Sequence, residues 1–313
     1  MKLQQLRYLV EVAKHGLNVS EAAERLHTSQ PGISKQIRLL EDELGIPIFI
    51  RNGKRVVAMS APGEKIIRIA ERILYEADNL KRVSAECQQE DTGTLAIATT
   101  HTQARYALPN TITAFVKHFP KVRLSIKQGS PTQICDMVSS GEADLAIATE
   151  NLSSSEEIIM LHCYPWNRGI VVPETHDLLE INRPLTLKDI AAYPIITYDF
   201  ALADHSQINQ AFSHTGLAPN IILTALDTDV IKTYVSLGLG IGIIANMAFE
   251  PERDTSLRII DAAHLFETSV SKIGIRKNSY LRSFTYTFIE LFAPHLKRHH
   301  VEAALLTPPH SSA

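Results

Sequence analysis

The stretch that decides the fold is residues 18–45, NVSEAAERLHTSQPGISKQIRLLEDELG, which predicts two short helices joined by a tight turn. Apolar residues recur at helical spacing in the first helix, and Ser20 is placed to cap its start. Ser29 and Pro31 predict that the second helix begins at about Gln30, because serine caps helices and proline is tolerated in a first turn.

The second helix has an apolar face and a polar face. The residues expected to face the core are Ile33, Ile37, Leu40 and Leu44. The opposite face carries side chains that can reach DNA bases and phosphates, namely Gln30, Ser34, Lys35 and Arg38. Any amphipathic helical hairpin has the same spacing, so the pattern alone leaves a DNA-reading helix-turn-helix and an ordinary hairpin open.

The segment after the second helix favours DNA binding. Asn52-Gly53 lies between two apolar runs, which is a strong signal for a β-hairpin turn. A basic hairpin after a recognition helix is a wing. We expect its cations, Arg51, Lys54 and Arg55, to lie along the DNA backbone or minor groove and to supply affinity rather than sequence choice. We therefore assign residues 1–60 to a winged helix-turn-helix.

A longer helix is predicted over residues 61–88, where Pro62 falls in the first turn. Its apolar residues follow the 3.5-residue period of a coiled coil, at Ile66, Ala70, Ile73, Ala77, Leu80 and Ser84. Two interpretations remain open at this point. The stripe either joins two copies of the chain or packs on its own domain, and we expect dimerisation.

Composition limits the remaining classes of protein. The 313 residues are too many for one comfortable core, and the formal charge of −3 is unevenly distributed. Residues 1–60 hold nine Lys and Arg against six Asp and Glu, so the basic surface is local. The three cysteines include no C-x-x-C pair and indicate inert reduced thiols, with no disulfide framework and no metal site. No leader or membrane-spanning run is visible, so we expect a cytoplasmic protein.

Beyond a polar stretch at 89–93, strand-like and helix-like segments alternate, which is typical of the α/β class. The predicted strands are 95–99, 122–127, 144–148, 169–172, 195–198, 221–225 and 241–244. The predicted helices are 104–118, 131–140, 205–215 and 229–237. Residues 298–313 are expected to form a loose tail.

Polar residues cluster where predicted strands end, at 99–103, 129–133 and 148–150. Ligands bind at such edges in α/β folds, and hydroxyl and amide groups without a carboxylate suit an anion or a small polar metabolite. Ordinary helix capping by Ser and Thr explains each cluster equally well when it is taken alone. The glycines at 238–242 follow a helix and lead into a strand, so they indicate close packing rather than a dinucleotide site.

Several runs of the chain are similar to the LysR-type transcriptional regulators. MKLQQLRYLVEV at 1–12, SQPGISKQIRLLEDELG at 29–45 and GKRVVAMSAPGE at 53–64 carry this resemblance. ATTHTQARYALPN at 98–110, QGSPTQI at 128–134, EADLAIATE at 142–150 and DVIKTYVSLGLGIG at 229–242 resemble the cysteine-regulon activator branch of that family. The resemblance covers residues 1–297.

The resemblance implies an α/β protein with an N-terminal winged helix-turn-helix, a linker helix and a two-lobed effector domain that is periplasmic-binding-protein-like. Lobe I would comprise about 93–163 and 268–293, and lobe II about 164–267. The implied partners are operator DNA, a sulfate-like or O-acetylserine-like effector, RNA polymerase and further copies of the chain in a homodimer or homotetramer. No cofactor, catalytic residue or membrane contact is implied.

In the same branch, residues that match Thr100, Thr102, Gln103 and Thr149 line the effector cleft. A departure occurs where that branch has Thr-Gly-Arg-Ser, because this chain has Ala203-Asp204-His205-Ser206. We include Asp204 and Ser206 in the predicted effector site. If Asp204 faces the cleft, its charge disfavours sulfate and favours an amine-bearing ligand such as O-acetylserine.

Two other classes of protein compete with a regulator. A solute-binding protein would share the two-lobed domain but would need a leader sequence, and an enzyme would need a catalytic constellation. The residues supply neither, so we predict a DNA-binding regulator of sulfur and cysteine metabolism, which acts as an activator at some promoters and as a repressor at its own.

Overall fold

The computed structural model describes residues 1–53, 55–87, 92–149, 157–199 and 206–306. The chain divides into two compact units, Met1–Gln89 and Glu90–Ala313. Among the described residues, no helix combines the length and apolar character that crossing a membrane requires.

The first unit is a helical domain with a two-stranded hairpin. Its elements are α1 (Leu3–Lys14), α2 (Val19–Arg25), α3 (Gln30–Leu44), β1 (Phe49–Asn52), β2 (Arg55–Met59) and α4 (Ala61–Cys87). Leu9, Ile33, Leu40 and Phe49 are at most 1% exposed and form the centre of its core. This arrangement confirms the predicted winged helix-turn-helix.

The two helices of residues 18–45 begin at side-chain caps. Ser29 caps α3 by accepting a hydrogen bond from the Gly32 amide at 3.2 Å, as predicted. The prediction for α2 was wrong by two residues, because Asn18 is its cap and accepts from the Ser20 and Glu21 amides. Asn18 is the residue before the helix whose backbone is still extended, and its side-chain oxygen reaches the two amides.

Three of the four predicted core residues of α3 are buried, and the fourth is not. Ile33, Ile37 and Leu40 are fully buried, but Leu44 is 41% exposed at the last turn. Glu41 is the buried residue there, at 7% exposure. Its Oε1 accepts hydrogen bonds from the Ile48 and Phe49 amides at 2.8 and 3.0 Å, which compensates for removing the carboxylate from water.

The long helix α4 carries two apolar surfaces. Ile67 and Ala70 are buried in the core of the first unit, and Ile66 and Ile73 pack partly against it. The first half of the predicted dimer stripe therefore packs on its own domain, which was the alternative interpretation. Leu80, in the second half of the stripe, is 73% exposed, and Ile69 and Val83 are also exposed.

The second unit contains two five-stranded sheets. Lobe I is built on the sheet of order β4-β3-β5-β12-β6, and lobe II on the sheet of order β11-β7-β10-β8-β9. The strands are β3 (Gly93–Thr99), β4 (Val122–Gln128), β5 (Leu145–Ala148), β6 (Ile158–Trp166), β7 (Arg168–Pro173), β8 (Ile195–Tyr198), β9 (Ile221–Ala225), β10 (Ile241–Ala245), β11 (Leu257–Asp261) and β12 (Ser269–Arg276). The helices are α5 (Pro109–His118), α6 (Pro131–Ser139), α7 (Leu187–Ala191), α8 (Gln207–His214), α9 (Thr228–Ser236), α10 (Ser283–Phe292) and α11 (Arg298–Leu306).

The chain crosses between the lobes twice, and the two crossings lie side by side. The first runs from Trp166 at the end of β6 to Arg168 at the start of β7. The second runs from β11 to β12, whose first residue, Ser269, pairs with Trp166. The Thr268 hydroxyl donates to Asn167 Oδ1 at 3.0 Å and ties the crossings together.

The seven predicted strands are present, but β6, β11 and β12 were not predicted. The three missed strands pair antiparallel with their neighbours. Because β6 continues in lobe I to Trp166, the sheets change at Asn167 rather than at the expected residue 164.

The expectation of a loose tail over 298–313 was wrong for its first nine residues. They form α11, in which Val301 is fully buried and Ala304 and Leu305 pack on the lobe I core. The spacing of these three residues places them on one helix face, which drives the docking. Residues 307–313 lie outside the described part of the chain.

The glycine run at 238–242 serves close packing, as predicted. Gly238 has a φ of +77°, which glycine adopts readily. A Cβ on Gly240 would lie 2.3 Å from the Pro194 carbonyl oxygen, and one on Gly242 would lie 2.5 Å from Val171. Side chains at these positions would push β10 away from its neighbours.

Candidate functional site

The polar face of α3 presents the four residues predicted to read DNA. Lys35 and Arg38 are exposed, and Gln30 and Ser34 are half-buried. The Gln30 amide donates to the Ser34 hydroxyl at 3.1 Å, so the two side chains form a pair on this face. The face offers donors and acceptors together with two cations, which are the groups that contact base edges and phosphates.

A groove runs between the start of α3 and the wing. It encloses about 470 Å³. Gln30 lies on one wall and Arg55 and Val56 of β2 on the other, with residues 16–20 completing it. Arg55 is exposed, so its cation is available to a polyanion.

The structure gives Arg51 a partner within the protein. Its guanidinium lies 2.7 Å from Oε2 of the buried Glu41. This ion pair anchors β1 to the end of α3, and it removes Arg51 from the set of freely projecting wing cations. Lys54, the third predicted wing cation, lies outside the described residues.

A cleft lies between the two lobes of the second unit, and its enclosed volume is about 30 Å³. Residues of both lobes surround it, namely Thr100, Thr102, Gln103, Pro131, Thr149, Trp166, Tyr198, Leu226 and Ala245. The structure thus brings four sequence-predicted residues together, from the end of β3, a π-helical turn (Gln103–Ala107) and the end of β5. Among the described residues that line the cleft, none carries a carboxylate, an amine, a guanidinium or an imidazole.

Gln103 organises the floor of the cleft. Its amide nitrogen donates to the hydroxyls of Thr149 at 3.3 Å and Ser271 at 2.9 Å, and its oxygen accepts from the Tyr164 hydroxyl at 2.8 Å. Both amide protons are therefore used within the protein, and the side chain is only 2% exposed. Gln103 holds other groups in place rather than presenting donors of its own.

Thr149 has a proton to offer. Its Oγ1 accepts from Gln103 Nε2 and from Trp166 Nε1 at 3.1 Å, which leaves the hydroxyl proton for a further acceptor. Thr100 Oγ1 similarly accepts from the backbone N–H of Gln103 at 3.5 Å. Two hydroxyl donors therefore face a space that suits the oxygen atoms of an anion or a polar metabolite.

Thr102 joins lobe I to lobe II. Its hydroxyl lies 2.9 Å from that of Thr228, which in turn lies 2.8 Å from the Tyr198 hydroxyl. Thr228 is fully buried at the start of α9. This chain of hydroxyls joins two residues that line the cleft from opposite lobes, Thr102 and Tyr198.

Sequence reasoning missed the aromatic residues of the cleft. Trp166 and Tyr164 lie on β6, which was not predicted as a strand. Tyr198 ends a predicted strand, β8, and the sequence signal for it was therefore available. The guanidinium carbon of Arg168 lies 5.1 Å from the centre of the Trp166 ring, and its Nη1 donates to Ser269 at 2.8 Å, so a buried cation stands behind the tryptophan.

The remaining predicted effector residues are not shown in the cleft. Ser206 is 6% exposed and caps α8 by accepting from the Asn209 amide at 3.0 Å. Asp204 and its neighbours at 200–205 lie outside the described residues, so the predicted influence of Asp204 on the ligand stays a prediction.

Residues 3–64 match the family described as "Bacterial regulatory helix-turn-helix protein, lysR family", and residues 88–297 match "LysR substrate binding domain". The "HTH-type transcriptional regulator CysB" of Burkholderia cenocepacia is 52% identical over 97% of both chains. The regulator SsuR of the same organism is 50% identical over 97% of this chain and 99% of its own. The regulator cbl of Escherichia coli is 44% identical over 93% and 92%.

Solved structures show the same folds. The cofactor-binding domain of the Cbl transcriptional regulator has a TM-score of 0.66 and 39% identity, covering 70% of this chain and 96% of that one. Full-length CbnR complexed with its target DNA has a TM-score of 0.62, covering 95% and 100%. Its identity is 20%, so it supports the fold alone.

Proposed function

The chain belongs to the LysR family of DNA-binding transcriptional regulators, and from that membership we propose that it controls genes of sulfur and cysteine metabolism in response to a small metabolite. The metabolite binds in the cleft between lobes I and II. The observation that carries the proposal is the cleft itself, in which uncharged hydroxyl donors from strand ends face a space shared by both lobes. Family membership disfavours the alternatives of an enzyme and a solute-binding protein.

Sequence choice on DNA is assigned to the polar face of α3. Gln30 and Ser34 contact base edges, while Lys35, Arg38 and the wing cations Lys54 and Arg55 contact phosphates. The exposure of Arg55 beside the groove supports this division. Ser34→Ala should relax discrimination between operator and random DNA by about 1–3 kcal/mol. Fluorescence anisotropy measures this, and an equal loss on both DNAs would contradict the assignment.

Dimerisation is assigned to the second half of α4. Leu80 and Val83 are exposed apolar residues in this half, and an operator with two half-sites needs two recognition helices. Burying these residues against a second copy removes apolar surface from water. Two such dimers form the homotetramer that we expect.

The cleft is assigned to an effector with an oxygen-rich polar group. Thr100 and Thr149 donate to that group, and the Trp166 ring with Leu226 covers the rest of the ligand. Because the chain's relatives include CysB, SsuR and cbl, the candidate effectors are sulfur metabolites. They are sulfate, thiosulfate, O-acetylserine, N-acetylserine and adenosine phosphosulfate. If Asp204 faces the cleft, as predicted, O-acetylserine binds more tightly than sulfate, and Asp204→Gly makes sulfate the tighter ligand.

A thermal-shift screen of these five compounds tests the proposal, because a ligand that binds the folded state raises the melting temperature by mass action. Thr149→Val keeps the shape of the side chain but removes the hydroxyl donor. It should abolish most of the shift produced by the true effector. Thr113→Val, on an exposed position of α5, is the matched control and should preserve the shift. A shift unaffected by Thr149→Val would place the ligand elsewhere.

As a regulator of promoters, the protein acts in the cytoplasm, where its DNA lies. RNA polymerase is the partner through which it activates transcription.

A further inference from the structure

A network of charged and polar side chains joins the lobes beside the cleft. We call it the interlobe clasp and define it by seven residues. Lobe I contributes His101, Arg105 and Tyr106, and lobe II contributes Asp227, Asp229, Lys232 and Asp254.

Asp229 is the centre of the clasp. Its Oδ1 accepts a hydrogen bond from the Tyr106 hydroxyl at 2.5 Å, and its Oδ2 lies 2.6 Å from Arg105 Nε. Burial acts to raise the pKa of Asp229, but the Tyr106 hydrogen bond and the Lys232 charge outweigh it and hold the pKa below its usual value. The carboxylate therefore stays ionised and keeps both lobe I partners.

Lys232 supports Tyr106 from behind. Its ammonium is nearly buried and donates to the Tyr106 hydroxyl at 2.9 Å, to Asp254 at 2.9 Å and to the Ala248 carbonyl at 3.0 Å. Burial acts to lower the pKa of Lys232, but Tyr106 and Asp254 raise the pKa by more, so the ammonium stays charged. The Tyr106 hydroxyl thus accepts from one lobe II residue and donates to another.

The cluster of His101, Asp227 and Asp229 has the residue types and the spacing of a metal site. Its charges argue against that interpretation. Arg105 and Lys232 already lie within 3.3 Å of the Asp229 carboxylate and neutralise it, so a divalent cation would be repelled by two neighbours. The cluster fits a lobe-to-lobe contact better.

The clasp and the cleft share two short segments. Residues 100–103 supply three cleft-lining side chains, and Arg105 and Tyr106 follow within the same π-helical turn. On lobe II, Thr228 bonds to Thr102 and is the neighbour of Asp229. Movement of the turn relative to α9 therefore changes the clasp and the cleft together.

We propose that Tyr106 and Asp229 are positioning residues for effector binding. They hold the 100–107 turn against α9, so that Thr100 and Thr149 of lobe I face Tyr198 and Leu226 of lobe II in the geometry that binds the ligand. This inference rests on the proposed effector role of the cleft. Without the clasp the binding-competent arrangement is less populated, and the apparent affinity falls by that fraction.

The test uses the full chain and the variants Tyr106→Phe, Asp229→Asn and the double variant. Tyr234→Phe is the control, because Tyr234 lies on the same helix α9 with an exposed side chain. Calorimetry with O-acetylserine and with inorganic sulfate measures the dissociation constant. We expect each single variant to weaken the better probe by about 10-fold, within the usual range for coupling between sites. The double variant should lose less affinity than the sum of the two single losses, because both single variants remove the Tyr106–Asp229 bond.

Hydrogen–deuterium exchange of the ligand-free chain gives a second measurement that does not depend on the ligand. Tyr106→Phe should increase exchange in peptides covering both 100–107 and 228–236, while Tyr234→Phe leaves the first peptide unchanged. If the wild type binds neither probe, the proposed effectors fail, and this exchange pattern still decides the clasp. Additive losses in the double variant, or increased exchange in only one of the two peptides, would overturn the inference.

Discussion

Replacing Glu41 by Ala should remove the contacts that hold the first strand of the wing against the recognition helix. The Ile48 and Phe49 amides, both within residues that are almost fully buried, would lose their shared acceptor, and Arg51 would lose its ion pair. An unsatisfied buried donor costs about 1–3 kcal/mol, so the two amides together predict a loss of about 2–6 kcal/mol. Glu41→Gln keeps one acceptor oxygen but loses the charge, and should cost about 1–2 kcal/mol.

Native-state amide exchange measures this loss locally, because the Ile48 and Phe49 amides are the donors concerned. Asp42→Ala is the matched control, since the neighbouring carboxylate is exposed and its removal should change stability by less than about 0.5 kcal/mol. If Glu41→Ala and Asp42→Ala have equal effects on the free energy of opening, the carboxylate does not anchor the wing and the reasoning is refuted.

Further predictions concern DNA, assembly and titration. Arg55→Ala should reduce the slope of log affinity against log salt concentration by about 0.9. Arg51→Ala should leave that slope unchanged and lower the free energy of unfolding instead, so equal slopes for the two variants would contradict this prediction. Leu80→Asp should give monomers by light scattering, and an intact dimer would move the interface elsewhere. Burial lowers the pKa of His176 below its usual value of 6.5, and the neutral Nδ1 accepts a hydrogen bond from the Leu178 amide. The contribution of His176 to the free energy of unfolding is therefore present above that pH and is lost as the pH falls. His176→Asn should make the melting temperature depend less on pH between about pH 7 and about pH 5. Burial raises the pKa of Cys163 to about 12, so iodoacetamide at about pH 8 should modify it only after unfolding, as read by mass spectrometry.

Local patterns predicted the DNA-binding unit well because its signals are short-range. The Ser29 cap and the buried face of α3 follow from spacing alone. The roles of Glu41 and Arg51 do not follow from spacing. The amides that donate to Glu41 are seven and eight residues away, and no periodic pattern in the sequence predicts such a contact. Arg51 looked like any exposed wing cation until its partner was known.

The second unit shows the same limit at longer range. Parallel strands with continuous apolar runs were predicted, but β6 contains His162 and Pro165 among its apolar residues and gave no clean pattern. The cleft threonines were identified from the resemblance, whereas Trp166 was missed together with its strand. The clasp joins residues more than 120 positions apart, so only the folded chain brings it together.

The paired crossings at Asn167 and Thr268 define an axis, and Trp166 lies on it. If the lobes rotate about this axis, the displacement of each residue grows with its distance from the axis. A ligand group stacked on Trp166 is then held where the lobes move least and can stay bound throughout the rotation. Contacts at Thr102 and Tyr106 involve separate elements of the two lobes and experience the larger arc. In such a rotation Trp166 would keep its place relative to both lobes, whereas Thr102 and Tyr106 would be displaced with the lobe that carries them.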